Sequence, residues 1–113
     1  MQEAMLPTTS GGYRRFNLED ILFLQAAGNY STLHKVHGNP IVLSVLLKEV
    51  EEKLTRKGFY RLSRSCIINL GHVVEYRPGQ DSNVLLSDGT TIEIPRRKKK
   101  AFKELMKQRY MHL

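Results

Sequence analysis

At 113 residues the chain has room for one domain, and by size scaling such a domain buries roughly two thirds of the surface its unfolded chain exposes, so no disulfide or metal staple is required. Eighteen Lys and Arg stand against eleven Asp and Glu, giving a net charge of +7 and a pI near 9.8; this suits a polyanionic partner better than the surface of a metabolic enzyme, the bland alternative being a basic solvated face. The single cysteine, Cys66, can form no internal bridge and stands beside Ile67, which points to a reducing compartment and a buried thiol.

No apolar run approaches the roughly 18 residues of a membrane span, and Met1 to Pro7 lacks the basic-then-apolar design of a signal peptide. A soluble cytoplasmic protein with no membrane partner is expected. Residues 1–12 end in Thr8-Thr9-Ser10-Gly11-Gly12 and read as a flexible lead-in to the domain at 13–113. Tyr13 to Phe16 is predicted as a first strand. Ile21 to Leu24, apolar and too short for a helix, is predicted as a buried one. Ala26 to Ser31 is small and polar around one aromatic, with Gly28 or Asn29 able to break the strand, and reads as a recognition loop. Thr32–Val36 and Ile41–Leu43 flank His37-Gly38-Asn39-Pro40 as a hairpin.

A helix is expected from an N-cap at Ser44 to near Gly58, with Leu46, Leu47, Val50 and Leu54 as its apolar stripe. The stretch Phe59 to Leu70 then passes from a cationic half, expected as an exposed loop, into the apolar strand Ile67-Ile68-Asn69. That change would root Arg64 in a packed base. Asn69 follows the apolar run and reads as a backbone pin rather than a ligand group. Val73–Tyr76 is a further strand, and Asn83–Leu86 with Thr91–Ile94 form a hairpin around Asp88-Gly89, the strongest short-range turn signal in the chain. Pro95 opens a last helix, with Ala101, Phe102, Leu105 and Met106 as its apolar positions through Lys107.

The start of that helix is crowded with Arg96, Arg97, Lys98, Lys99, Lys100 and Lys103. Cations at the positive end of a helix dipole are unfavourable by a few tenths of a kcal/mol each, and they repel one another, unless an external anion is the normal occupant. A phosphate backbone relieves both terms. Lys grips phosphate, whereas the two-donor edge of Arg can also read guanine.

Enzyme chemistry finds no constellation. His34 and His37 do not share a helical face and have no cysteine partners for zinc; Ser63 and Ser65 lack a nucleophile-elbow glycine pattern and a nearby His; and no phosphate-loop or dinucleotide fingerprint occurs. His72 and His112 read as surface residues. No enzyme activity, cofactor or metal is expected.

Glu19-Asp20-Ile21-Leu22-Phe23-Leu24-Gln25-Ala26 with Gly28-Asn29-Tyr30, then Arg61-Leu62-Ser63-Arg64-Ser65 with Ile67-Ile68-Asn69, then Asp88-Gly89 and Ile94-Pro95-Arg96-Arg97, occur in an order and spacing that resembles a LytTR-type DNA-binding domain over about residues 13 to 106. The resemblance implies a mainly β, elongated fold of short antiparallel strands in three small sheets with one or two short helices. It also implies sequence-specific binding of double-stranded DNA in transcriptional regulation, with loops rather than a recognition helix entering successive major grooves. Carried onto this chain, it makes Tyr30, Ser31, Arg64 and Arg96 the base-contacting candidates, and Asn29, Arg61, Ser63, Arg97, Lys98, Lys99, Lys100 and Lys103 the phosphate-contacting ones. The family often has His where this chain has Ser63, whose shorter side chain suits loop support. Most members are output domains of bacterial response regulators in two-component systems, so a receiver domain upstream in a longer chain, repeated sites and a dimer on DNA are further expectations. The alternatives are a basic β module that docks an acidic protein, and an RNA-binding domain. The latter usually relies on an aromatic cluster, and the tyrosines here are scattered.

Overall fold

The computed structural model describes residues 2–111, so the surface position expected for His112 lies outside the described residues. The chain is mainly β, with two helices and three antiparallel sheets of two, five and three strands. It divides into two compact units, Met1–His72 and Val73–Leu113.

In the first unit, β1 (Glu3–Pro7) pairs with β2 (Tyr13–Asn17). The lead-in expected to be flexible and irregular therefore contains a strand. Leu6 is fully buried in the same cluster as Phe16, Leu24, Leu33 and Leu43, and the half-buried Ala4 packs against that cluster from the same face. A strand with a single deeply buried side chain has too little pattern to stand out in sequence; pairing with β2 supplies what the pattern lacks. Asn17 caps the 3-10 turn Leu18–Asp20, its side-chain oxygen accepting from Glu19 N–H at 3.0 Å.

The large sheet comprises β3 (Ile21–Ala27), β4 (Tyr30–Lys35), β5 (Ile41–Leu43), β6 (Phe59–Ser63) and β7 (Cys66–Asn69), in the spatial order β5-β4-β3-β7-β6. Ile21 to Leu24 is buried as expected, and the β4–β5 hairpin forms as expected. Two expectations are corrected. Ala26 to Ser31 is not a long loop, because β3 runs to Ala27 and β4 starts at Tyr30, leaving a two-residue turn at Gly28-Asn29. The cationic half of 59–70 is not a loop either. Phe59–Ser63 is the edge strand β6, held by its ladder to β7 and by the buried Leu62.

Helix α1 (Leu47–Lys53) covers the sheet with Leu47 and Val50. It starts later than the Ser44 cap would place it: Ser44 N–H donates to the Pro7 carbonyl at 3.1 Å and the Val45 carbonyl accepts from Ser31 Oγ at 2.9 Å, which hold this stretch on the sheet. Leu46 is the N-cap residue instead, its N–H donating to the Glu49 carboxylate at 3.0 Å, and its side chain is exposed rather than part of the stripe. At the end of β7 the buried Asn69 donates from Nδ2 to the carbonyls of Leu18 (3.1 Å) and Ile21 (2.8 Å) and accepts from Gly71 N–H (3.0 Å), the backbone pin expected from its residue type.

In the second unit, β8 (Val73–Arg77), β9 (Asn83–Leu86) and β10 (Thr91–Glu93) form a sheet in the order β10-β9-β8. The Asp88-Gly89 hairpin forms as expected: Gly89 has φ +93°, and Asp88 accepts from Thr90 N–H at 2.9 Å. Pro95 precedes a 3-10 turn, Arg96–Lys98, and only then does α2 (Lys99–Tyr110) begin. Phe102 and Met106 are its buried anchors, Phe102 meeting Tyr76 edge-on at 5.4 Å; Ala101, expected on the stripe, is exposed.

If β1 is integral to the core, Leu6→Ala should cost about 2–5 kcal/mol in urea unfolding with the cooperativity of the transition unchanged. A loss below about 0.5 kcal/mol would mean that β1 is dispensable.

Candidate nucleic-acid interface

Register decides which loops lie together. Ala27 pairs with Tyr30 across the β3–β4 turn, and Ser63 pairs with Cys66 across the β6–β7 turn. Cys66 also pairs with Gln25, and Ala26 N–H donates to the Ser65 carbonyl at 2.9 Å, which stitches the two turns side by side at one end of the five-stranded sheet. A cavity of about 640 Å³ bordered by Asp20, His37, Asn69 and His72 opens at the other end.

Within the first turn, Gly28 takes φ +62°, the left-handed value that a two-residue hairpin with glycine in the first central position requires. Asn29 is exposed and Tyr30 is 49% exposed, whereas Ser31 is completely buried and donates its hydroxyl to the Val45 carbonyl at 2.9 Å. Of the two base-contacting candidates in this turn, Tyr30 is therefore presented to a ligand and Ser31 is turned into the fold. Adjacent strand residues point to opposite faces, so Tyr30 outward places Ser31 inward.

The second turn is built around Arg61. Its Nε–H donates to Ser63 O at 2.6 Å, Nη1 to the Glu51 carboxylate at 2.8 Å, and Nη2 to Arg64 O at 2.9 Å. With 24% of its side chain accessible and its donors engaged on three sides, Arg61 has less to offer a phosphate than the exposed Arg64. Arg61 braces the turn. Ser65 N–H donates to Ser63 Oγ at 3.2 Å, so Ser63 also helps shape the loop. Arg64 is exposed at the tip, and its guanidinium has no carboxylate or hydrogen-bond partner among the described residues. Beside it, burial pushes the Cys66 thiol up to about 11, with Arg61 pulling the other way. This is the environment of an unreactive thiol.

In the second unit, Arg96, Arg97, Lys100 and Lys103 are exposed, without a carboxylate partner among the described residues, while Lys98 and Lys99 are partly buried. Lys99 donates Nζ–H to the Gln80 carbonyl at 2.5 Å and so ties the start of α2 to the β8–β9 connection. Tyr13 and Arg14, both exposed at the start of β2, fall outside the candidates drawn from sequence.

The family model of the LytTr DNA-binding domain matches residues 11–107. The chain belongs to this family. A solved LytTr DNA-binding domain from Bacillus cereus superposes with a TM-score of 0.76, covering 94% of this chain and 97% of that one at 19% identity, so the fold is the LytTr fold. Among curated proteins, a sensory transduction protein LytT from Bacillus anthracis is 28% identical over 93 residues, 80% of this chain and 37% of its own length. The CO-responsive transcriptional regulator RcoM of Rhodospirillum rubrum is 32% identical over 68 residues, 60% of this chain and 28% of its own. This LytTr chain thus spans about a third of the length of the curated relatives it matches. No helix among the described residues is long and apolar enough to cross a membrane.

Two outcomes are expected from the Arg61 cluster. Arg61→Met strands two turn carbonyls and the Glu51 carboxylate and should cost about 1–3 kcal/mol in urea, with Arg61→Lys recovering less than half because a point charge cannot fork. Full recovery by lysine would reduce the role of Arg61 to charge alone. The Cys66 pKa is raised on folding, so burial of the neutral thiol contributes stability that is complete below the unfolded-state value and is lost as pH rises toward about 11. Stability of the wild type should therefore fall more steeply than that of Cys66→Ala across the window from about 9 to about 11, and parallel curves would refute the burial effect.

Proposed function

We propose that this LytTr domain binds double-stranded DNA sequence-specifically in transcriptional regulation, with Arg64, Tyr30 and Arg96 addressing base edges and Asn29, Ser63, Arg97, Lys98, Lys99, Lys100 and Lys103 meeting phosphate. The observation that carries the reading is Arg64 itself: an exposed guanidinium with no partner among the described residues, on a two-residue turn whose carbonyls are clamped by Arg61. A cation on a stiff root can place two hydrogen bonds on a guanine edge without the entropy cost of ordering a loop. The family's description as DNA-binding supports the same polyanion. Lys99 retains donors beyond the one given to Gln80 and ranks below Arg97, Lys100 and Lys103 as a phosphate contact.

The strand order supports a particular use of the grooves. Centres of the β3–β4 and β6–β7 turns are two strand spacings apart, roughly 10 Å. Successive major grooves lie about 34 Å apart, so these two turns serve one groove and its bordering backbone rather than two grooves. Arg96, carried by the other unit, reads on its own account. We place the domain as the DNA-binding part of a longer regulator with a sensory or receiver region, acting on repeated sites as a dimer.

Selection of bound duplexes from a random pool supplies the site, and competition with single strands and with an acidic protein separates duplex DNA from the alternatives. On the selected duplex, Arg64→Lys and Arg96→Lys should each lose about 1–3 kcal/mol, and far less on a scrambled duplex at the same salt concentration. Equal losses on both duplexes would make the pair phosphate anchors. No loss on either would remove them from the interface.

A further inference from the structure

Resting on the DNA-binding reading, we infer that the β1–β2 hairpin end, Thr8 to Arg14, is a further phosphate-binding element that grips the duplex backbone beside the groove addressed by the other two turns. The placement follows from pairing. Pro7 pairs with Tyr13, so the connection 8–12 caps that hairpin. Thr8 bridges to Leu43, Ser44 N–H donates to Pro7 O at 3.1 Å, and Leu43 pairs with Ser31, the neighbour of Tyr30. The β1–β2 turn therefore emerges at the same end of the first unit as the Gly28-Asn29 and Arg64-Ser65 turns. It lies beyond β5, on the side away from β6, about three strand spacings or roughly 14 Å from the centre of the β3–β4 turn. A major groove is about 12 Å wide, so an element slightly farther out than that meets the backbone that lines it.

The chemistry of this end is that of a donor set without acceptor charge. No acidic residue occurs between Ala4 and Leu18, and Glu3, at the far end of the hairpin, is taken by Arg15 at 3.7 Å. Arg14 is exposed, has no carboxylate partner among the described residues, and only rests over the Phe16 ring at 5.4 Å, a contact it can leave cheaply. The turn carbonyls of Thr8 and Gly12 are used internally, by Gly11 N–H at 3.2 Å and Thr8 N–H at 2.9 Å, while the amides of Thr9 and Ser10 carry no hydrogen bond among the described residues. Open space surrounds Gly11 and Gly12, where an added Cβ would meet nothing within 4 Å, so a phosphate can approach the backbone itself. Hydroxyls, here those of Thr8 and Ser10 at 2.8 Å from each other, free amides and one exposed Arg are groups that contact phosphate without reading sequence. The family match begins only at residue 11, so β1 and the first half of this turn lie outside it.

The test compares wild type, Arg14→Gln, Ser10→Glu and Arg64→Lys by salt titration on the selected duplex and on a mixed-sequence duplex of equal length, with thermal melting to verify folding. Arg14→Gln should lower the slope of log K against log salt by about 0.9 and weaken both duplexes alike, about fivefold at 0.15 M salt. Ser10→Glu, an exposed change that leaves the Arg14–Phe16 contact in place, should also weaken both. Wild-type slope and affinity in both hairpin variants, while Arg64→Lys loses the selected site, would overturn this inference alone. A wild type that binds neither duplex would overturn the DNA reading beneath it as well.

Discussion

The guanidinium of Arg61 is the contact on which the first unit's exposed end depends. An edge strand that turns back after two residues leaves carbonyls pointing where no ladder can reach them, and unpaired backbone acceptors are costly once they are shielded from water. Arg61 supplies a planar fork that satisfies Ser63 O and Arg64 O together, and Glu51 on α1 balances the charge. Lysine has the charge without the plane. One arginine is thus spent on the protein so that another, three residues later, is left exposed with no partner among the described residues.

That division of labour was not legible in composition. Arg61 and Arg64 are the same residue type in one cationic stretch, and only the approach of α1, which brings Glu51 to β6, separates their fates. The late start of α1 has the same kind of cause, because Ser44 and Val45 are held on the sheet by Pro7 and Ser31, residues distant in sequence. Local chemistry was legible where it sufficed. Asn83–Leu86 and the Asp88-Gly89 turn depend on a left-handed glycine and an Asp side chain that binds its own turn, both readable within a few residues. The burial of Ser31 was readable in principle: once β4 is extended back to Tyr30, alternation alone turns Ser31 inward. The family and its fold were legible because several short pieces fell in order, whereas β1 was not, having one buried side chain and no partner visible before β2 is placed.

The two units solve a shared electrostatic problem differently. In the first, a ring of protein acceptors holds Arg61 and isolates Arg64. In the second, the cations crowd the 3-10 turn and first turn of α2, where the dipole opposes them, and Lys99 donates to the Gln80 backbone carbonyl. Phe102 and Met106 anchor that helix through apolar burial, which is insensitive to salt, so the fold tolerates the repulsion.

The hydrogen bond from Ala26 to Ser65 has an evolutionary reading. Because the β3–β4 and β6–β7 turns share a backbone bond and a strand ladder, neither can be lengthened or re-aimed without displacing the other. Divergence of binding preference in such a domain would proceed by exchanging side chains at fixed positions rather than by inserting residues into one turn. Chimeras made by grafting a single turn from a relative would be expected to fail unless its neighbour is moved with it.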